Sequence, residues 1–233
     1  MTRLVLWDID GTLVDSAGLG AEAFYEAFER ITGAPVTKLV PFAGRTDLEI
    51  ALDLLETAGI EHSERLLDDF ERELIASMAA RAELVRERGR PFPGVRETLT
   101  RLGAEPAVTQ SLLTGNIEPN AHVKLAAFDL HELIDMEIGA YGSDHQRRGE
   151  LVAVARRKAL DLRGVAFDPA DIVLIGDTPL DVAVAVTGGA RSIAVATGSH
   201  TTGELQASGA DVVFADLSDL EAVLAALERR PES

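Results

Sequence analysis

The chain has 233 residues, 46% of them apolar, with a formal charge of −17 and no cysteine. This is enough for one sizeable core, or one core with an insertion. The charge excludes a basic nucleic-acid surface, and the missing cysteine excludes disulfides, thiolate zinc sites and a cysteine nucleophile. No apolar run approaches the roughly 18 residues of a membrane span, and no basic leader with a cleavage site precedes the first strand. A soluble, cytoplasmic protein with no membrane partner is expected.

Leu4 to Trp7 form a short continuous apolar run that ends in Asp8-Ile9-Asp10-Gly11-Thr12, the pattern of a buried strand entering a tight turn. A helical rhythm follows. Phe24, Ala27, Phe28 and Ile31 share a helix face that ends at Gly33. Thr46-Asp47-Leu48-Glu49 has capping-box form and predicts a helix with Leu48, Ala51, Leu52 and Leu55 inward, ending at Gly59. A third amphipathic helix carries Leu66, Leu67, Phe70, Leu74 and Met78 and fades near Gly89. Pro91, Pro93 and Gly94 mark a change of rhythm. A helix from Val95 to Leu102 leads to a strand from Ala107 to Leu113. Further strands are expected at Ile134–Ile138, Asp171–Ile175, Arg191–Ala196 and Asp211–Phe214. Alternation of this kind signals a parallel sheet with helices on both faces. The helical stretch between the first two strands exceeds what one crossover needs and reads as an inserted cap. The expected division is a core of residues 1–15 and 91–233 and a cap of residues 16–90.

Open parallel sheets bind ligands beyond the carboxyl ends of their strands, and the polar residues of this chain collect there. Strand alternation predicts Asp8 and Asp10 on one side and Ile9 on the other. Two acids this close call for a cation, a shared proton or both. Gly11 permits the turn, and Thr12 returns a hydroxyl to the same place. The second strand ends in Thr114-Gly115-Asn116, whose hydroxyl, backbone N–H groups and amide suit phosphate oxygens. A later strand ends in Gly176-Asp177-Thr178-Pro179-Leu180-Asp181, adding two acids, and Gln146-Arg147-Arg148 supplies a doubly basic helix start. In the cap, Arg45 precedes a capped helix N-terminus, where donors favour an anion.

These motifs resemble the haloacid dehalogenase superfamily, specifically its phosphatase-like members. Asp8-x-Asp10-Gly11-Thr12 matches the first motif of that family, Thr114 the second, and Gly176-Asp177 through Asp181 the fourth. The third motif normally carries Lys, often followed by Pro. No Lys-Pro stands there in this chain, and Arg148 is taken as the substitute, ahead of Arg147 and then Lys158. The resemblance implies an α/β fold with a Rossmann-like parallel sheet core and an inserted all-α cap. It also implies Mg²⁺-dependent hydrolysis of a small phosphate ester through an aspartyl-phosphate. Asp8 would be the nucleophile. Asp10 would be the acid and base, kept partly protonated by burial and acidic neighbours. Thr114, Gly115 and Asn116 would bind phosphate oxygens, and Arg148 would neutralise charge, with Arg147 and Arg45 as further substrate contacts. Mg²⁺ would lie between Asp8, Asp177 and the phosphate, with the Asp10 backbone carbonyl as a further ligand and Asp181 holding metal-bound water or orienting the Arg, because oxygen ligands suit it. A carboxyl at position 10 favours ester hydrolysis over dehalogenation, since a departing halide needs no proton. A phosphomutase using the same nucleophile is the alternative, ahead of a receiver-type phospho-acceptor or a degenerate member. Oligomeric state is open.

Overall fold

A computed structural model describes residues 2–229. The first strand, β1 (Arg3–Trp7), gives way after a tight loop to the two-residue β2 (Val14–Asp15). Four helices follow: α1 (Leu19–Thr32), α2 (Asp47–Ala58), α3 (Glu64–Ala79) and α4 (Ala82–Arg88). The chain returns through β3 (Arg90–Pro91), which pairs antiparallel with β2, so a two-stranded ribbon joins the helical cap to the rest. Next come α5 (Val95–Gly103), β4 (Val108–Leu112), α6 (Glu118–Ala126) and α7 (Leu151–Arg163). The chain ends with β5 (Ile172–Gly176), α8 (Pro179–Thr187), β6 (Arg191–Val195), α9 (Thr202–Ala207), β7 (Val212–Phe214) and α10 (Leu220–Glu228).

The five longer strands form one parallel sheet in the order β4-β1-β5-β6-β7. The interior strand β1, paired with β4 on one side and β5 on the other, is buried on both faces, which is why it reads as an unbroken apolar run. Val5 and Trp7 pack with Leu99, Leu102, Leu125 and Val223 on one face, and Leu4 and Leu6 pack with Leu151, Val152, Ala155 and Ala185 on the other. Each Val or Leu among them contributes about 1.5–3 kcal/mol through burial. The cap has its own apolar centre, in which Phe24 meets Phe42 and Phe70 edge-on at 5.1 and 4.9 Å. No helix among the described residues is long and apolar enough to cross a membrane.

Three elements differ from expectation. Ile134–Ile138 is not a strand, although its apolar and acidic residues alternate. It meets the edge of β4 only at its ends, where Asp135 N–H bonds Gln110 O and Ala140 N–H bonds Leu112 O, both at 2.9 Å. Five residue steps against two on β4 leave an excess, which the chain takes up as a 3₁₀ turn at Met136–Ile138. The inward face of α2 is Ile50, Ala51, Leu54 and Leu55, with Leu48 and Leu52 only half-buried. Its rotation is set by its first residues, which are pinned to core loops: Thr46 Oγ1 donates to Gln146 O, and Asp47 N–H to Gly115 O. The third helix is two, α3 and α4, broken at Ala80-Arg81, where Arg81 bonds back to Ser77 and pairs with Glu26.

Candidate active site

The sheet order makes β1 the neighbour of both β4 and β5, so the direction of winding reverses at β1. A crevice opens at such a point beyond the carboxyl ends of the strands. Asp8 leaves β1 with its N–H bonded to Ile175 O at 2.9 Å, which fixes it beside the end of β5. The chain then folds tightly, with Leu13 N–H on Ile9 O and Gly11 at φ +83°, a conformation that favours glycine. Glycine is required here for a second reason. A Cβ at Gly11 would lie 2.4 Å from Asp177 Oδ2, and one at Gly198, in the loop after β6, 1.7 Å from the same atom. Thr12 Oγ1 donates to Asp177 Oδ1 at 3.2 Å.

One oxygen from each of Asp8, Asp177 and Asp181 falls within 4.8 Å of the others, and all three residues are buried. Arg148, in the turn that opens α7, reaches into this group. Its Nη2 donates to Asp8 Oδ1 at 2.8 Å and to Asp181 Oδ1 at 2.5 Å. Asp181 Oδ2 accepts the backbone N–H and the hydroxyl of Thr178, closing a capping box that seats α8. Burial pushes the Asp8 carboxyl well above its ordinary value of 3.8, the Arg148 guanidinium opposes this, and the neighbouring Asp181 and Asp10 raise it further. Asp177 is raised by burial, then by Asp8 and Asp181, against the Thr12 hydrogen bond and the Arg148 charge. One guanidinium is too little positive charge for three buried acids, so the cluster is suited to a hard cation.

Asp10 also faces the cavity, but its carboxylate is separately held. Lys124 Nζ and Asn116 Nδ2 donate to Oδ2 at 2.6 and 2.8 Å, while Oδ1 receives only a 3.3 Å bond from Ser16. Burial pushes its pKa up. The Lys124 charge and the hydrogen bonds from Lys124, Asn116 and Ser16 more than offset this and leave it below the ordinary value. Burial and acidic neighbours were expected to favour partial protonation; the partner in the structure is the Lys124 cation, which acts in the opposite direction.

Lys124 went unnoticed in the sequence. Its signal is positional: Asn120, Ala121, Lys124 and Leu125 form the buried face of α6, and a lysine on such a face is rarely there without a partner. Its ammonium also bonds Asn116 Oδ1 at 2.7 Å, and Asn116 Nδ2 reaches Thr114 Oγ1 at 2.8 Å. The loop after β4 is thereby tied to Asp10.

The cap closes over this network. Asp47 N–H bonds Gly115 O at 2.9 Å, and Ile117 N–H returns a bond to Asp47 Oδ2 at 3.0 Å. A Cβ on Gly115 would lie 1.8 Å from Arg45 O, so only glycine admits the cap loop here. Gly115→Ala should therefore displace the cap loop and lower kcat/KM for an aryl phosphate by roughly 10²-fold, the scale that a 1 Å misplacement can reach. Steady-state kinetics beside a thermal melt would check this; unchanged kinetics would show that cap closure is not needed.

The cavity between cap and core, about 290 Å³, is lined by Asp8, Asp10, Asp177, Thr114, Gly115, Asn116, Arg45 and Arg148 among others. Three candidate cations fall elsewhere or are occupied. Arg147 is exposed and outside the cavity lining. Lys158 bonds Gly139 O and Asp144 at 2.8 and 2.7 Å. Arg45 lies at the cavity, but its guanidinium is turned to Asp53 at 2.6 Å and to Glu49.

Over 232 residues the chain is 29% identical to "Probable phosphatase IndB" of Dickeya dadantii (strain 3937), covering 94% of this chain and 92% of that protein. Its fold is similar to that of a predicted phosphatase from Clostridium acetobutylicum (TM-score 0.70, 19% identity, 97% and 99% of the two chains). It is also similar to that of a predicted phosphoglycolate phosphatase from Haemophilus somnus (TM-score 0.66, 20% identity, 96% and 98%). Residues 5–185 match the profile of the haloacid dehalogenase-like hydrolases, spanning the acid cluster, Arg148 and the whole cap. With a parallel sheet, a helical cap and acids gathered at the point of reversal, the chain belongs to the haloacid dehalogenase-like hydrolase family.

Proposed function

We propose that the protein is a Mg²⁺-dependent phosphatase that hydrolyses a small phosphate monoester through an aspartyl-phosphate on Asp8. The observation that carries this reading is the buried Asp8–Asp177–Asp181 group with Arg148 bonded to two of its members, at the floor of a cleft between cap and core. The relative named as a probable phosphatase supports the same chemistry. The all-oxygen donor set and its excess negative charge fit Mg²⁺ held by Asp8, Asp177 and Asp181. Such an ion would offset repulsion between the acids and a phosphate and help to align the displacement.

The side chains supply the remaining steps. A carboxylate oxygen of Asp8 attacks phosphorus, an Asp8 O–P bond forms and the ester P–O bond breaks. Arg148 holds Asp8 in place and counters its charge, and the Thr114–Asn116 loop offers donors to the phosphoryl oxygens. The leaving oxygen takes a proton from Asp10, whose Oδ1 is the less encumbered oxygen. Water then attacks the aspartyl-phosphate while Asp10 takes the proton back. The Lys124 ammonium lowers the Asp10 pKa and so favours the ionised form that accepts the proton of water in the second step; the first step draws on the protonated form, which the negative charge of a bound phosphate favours.

Hydrolysis of 4-nitrophenyl phosphate should require Mg²⁺ and stop with chelator; equal rates with and without the ion would count against the reading. Stability offers a second readout. Asp8 and Asp177 are raised on folding, so between their unfolded and folded pKa values the folded chain binds more protons. Metal-free stability should therefore fall as pH rises above about 4. Added Mg²⁺ should raise Tm more at pH 8 than at pH 5, as differential scanning fluorimetry would show. A Tm indifferent to Mg²⁺ at both pH values would argue against this site.

A further inference from the structure

The cations that line the cavity are each already engaged. Arg148 pairs with Asp8 and Asp181, Lys124 with Asp10, and Arg45 with Asp53 and Glu49. A fourth lining acid, Asp47, has no ion-pair partner among the described residues. Its half-buried carboxylate lies at the N-terminus of α2, lines the cavity and takes the Ile117 N–H. Beyond the phosphoryl end the cavity therefore offers negative charge without a spare positive one. The rest of its cap side is apolar: Phe24, Phe42, Ile50, Leu74 and Met78 face it from the cap. Asn120 on the core side is buried, with its carboxamide oxygen unpartnered.

We infer that the leaving group is a neutral alcohol with an apolar or aromatic portion and at least one further hydroxyl, and not a second anion such as a carboxylate or another phosphate. This rests on the phosphatase reading above and deepens it. A second anion would meet Asp47 with no free cation beside it, and like charges brought together in a cleft repel. A ring or alkyl chain against the aromatic and aliphatic cap wall loses water favourably. A hydroxyl supplies the donor that Asp47 and the unpartnered oxygen of Asn120 lack. Arg45 was the residue expected to recognise an anion, but its two acid partners remove it from that role.

The test is a matched pair of benzyl esters that depart through the same kind of benzylic oxygen and differ in the para substituent, 4-(hydroxymethyl)benzyl phosphate and 4-carboxybenzyl phosphate, with 4-nitrophenyl phosphate as the reference. The neutral ester should have a kcat/KM at least about tenfold higher than the carboxylate. Asp47→Asn, which keeps an acceptor for Ile117 N–H, should narrow that ratio several-fold, mainly by lowering KM for the carboxylate ester. Equal or better turnover of the carboxylate ester overturns the inference, as does hydrolysis of the nitrophenyl ester alone. A ratio unmoved by Asp47→Asn also overturns it, because the discrimination would then have another source. Failure to hydrolyse all three esters with Mg²⁺ present overturns the phosphatase reading itself, and the inference with it.

Discussion

Asp8→Asn should abolish turnover, with kcat lower by at least about 10⁴-fold, while the protein stays folded. The amide is almost isosteric with the carboxyl but is not a competent nucleophile towards phosphorus, and no other carboxylate takes its place. Asp181 is tied to Thr178 and Arg148, and Asp10 to Lys124 and Asn116. Removing one charge from a buried group of three acids also relieves repulsion, so metal-free Tm should be unchanged or higher. Arg148 keeps Asp181 as its partner. Two measurements check this together: hydrolysis of an aryl phosphate, and the intact mass of acid-quenched protein after mixing with substrate. Wild type should carry a phosphoryl adduct and the variant none. Turnover in a pure variant preparation would remove Asp8 from the nucleophile role.

Arg148→Met should damage both activity and stability, and Arg148→Lys should rescue both in large part. The wild-type guanidinium is 6% exposed and is, among the described residues, the one cation bonded to the acid group. Removing it leaves buried carboxylates unpaired, a change that costs about 3 kcal/mol or more. That loss should be greatest at neutral pH without Mg²⁺ and shrink in acid, where the carboxyls protonate and need no counter-charge. A single nitrogen, Nη2, makes both bonds, to Asp8 and to Asp181. An ammonium has three donors on one nitrogen, so Lys can reproduce that pattern where a bidentate arginine site could not accept it. The expected kcat is within about tenfold of wild type for the Lys variant and lower by at least about 10²-fold for the Met variant. Urea unfolding at pH 5 and pH 8, with kinetics beside it, would decide. A Met variant that kept full stability and rate would show that Arg148 only fills space.

These predictions rest on residues whose legibility in the sequence differed for physical reasons. The buried strand, the Asp-x-Asp-Gly-Thr turn and the alternation of strand and helix are local patterns. A continuous apolar run, a glycine where φ must be positive and a period of 3.6 leave marks within a dozen residues. The class of fold, the inserted helical segment and the sheet edge where polar residues gather could therefore be read without coordinates. The short element at Met136–Ile138 could not, because its apolar–acidic alternation is that of a strand. The mismatch with the edge of β4 that turns it into a 3₁₀ turn exists only once the two segments lie side by side.

The same division runs through the site. Asp8, Asp10, Thr114 and Asp177 stand out as candidates along the chain because each follows the end of a strand. Which of them pair, and with what, depends on the tertiary fold. It alone distinguishes Arg148, buried among the acids, from its exposed neighbour Arg147. It shows Arg45 neutralised by Asp53, and Lys124 brought 114 residues along the chain onto Asp10. Charge pairing acts through space over a few ångströms, whereas sequence patterns report only on neighbours along the chain. The partners of a buried charge are therefore fixed by packing alone.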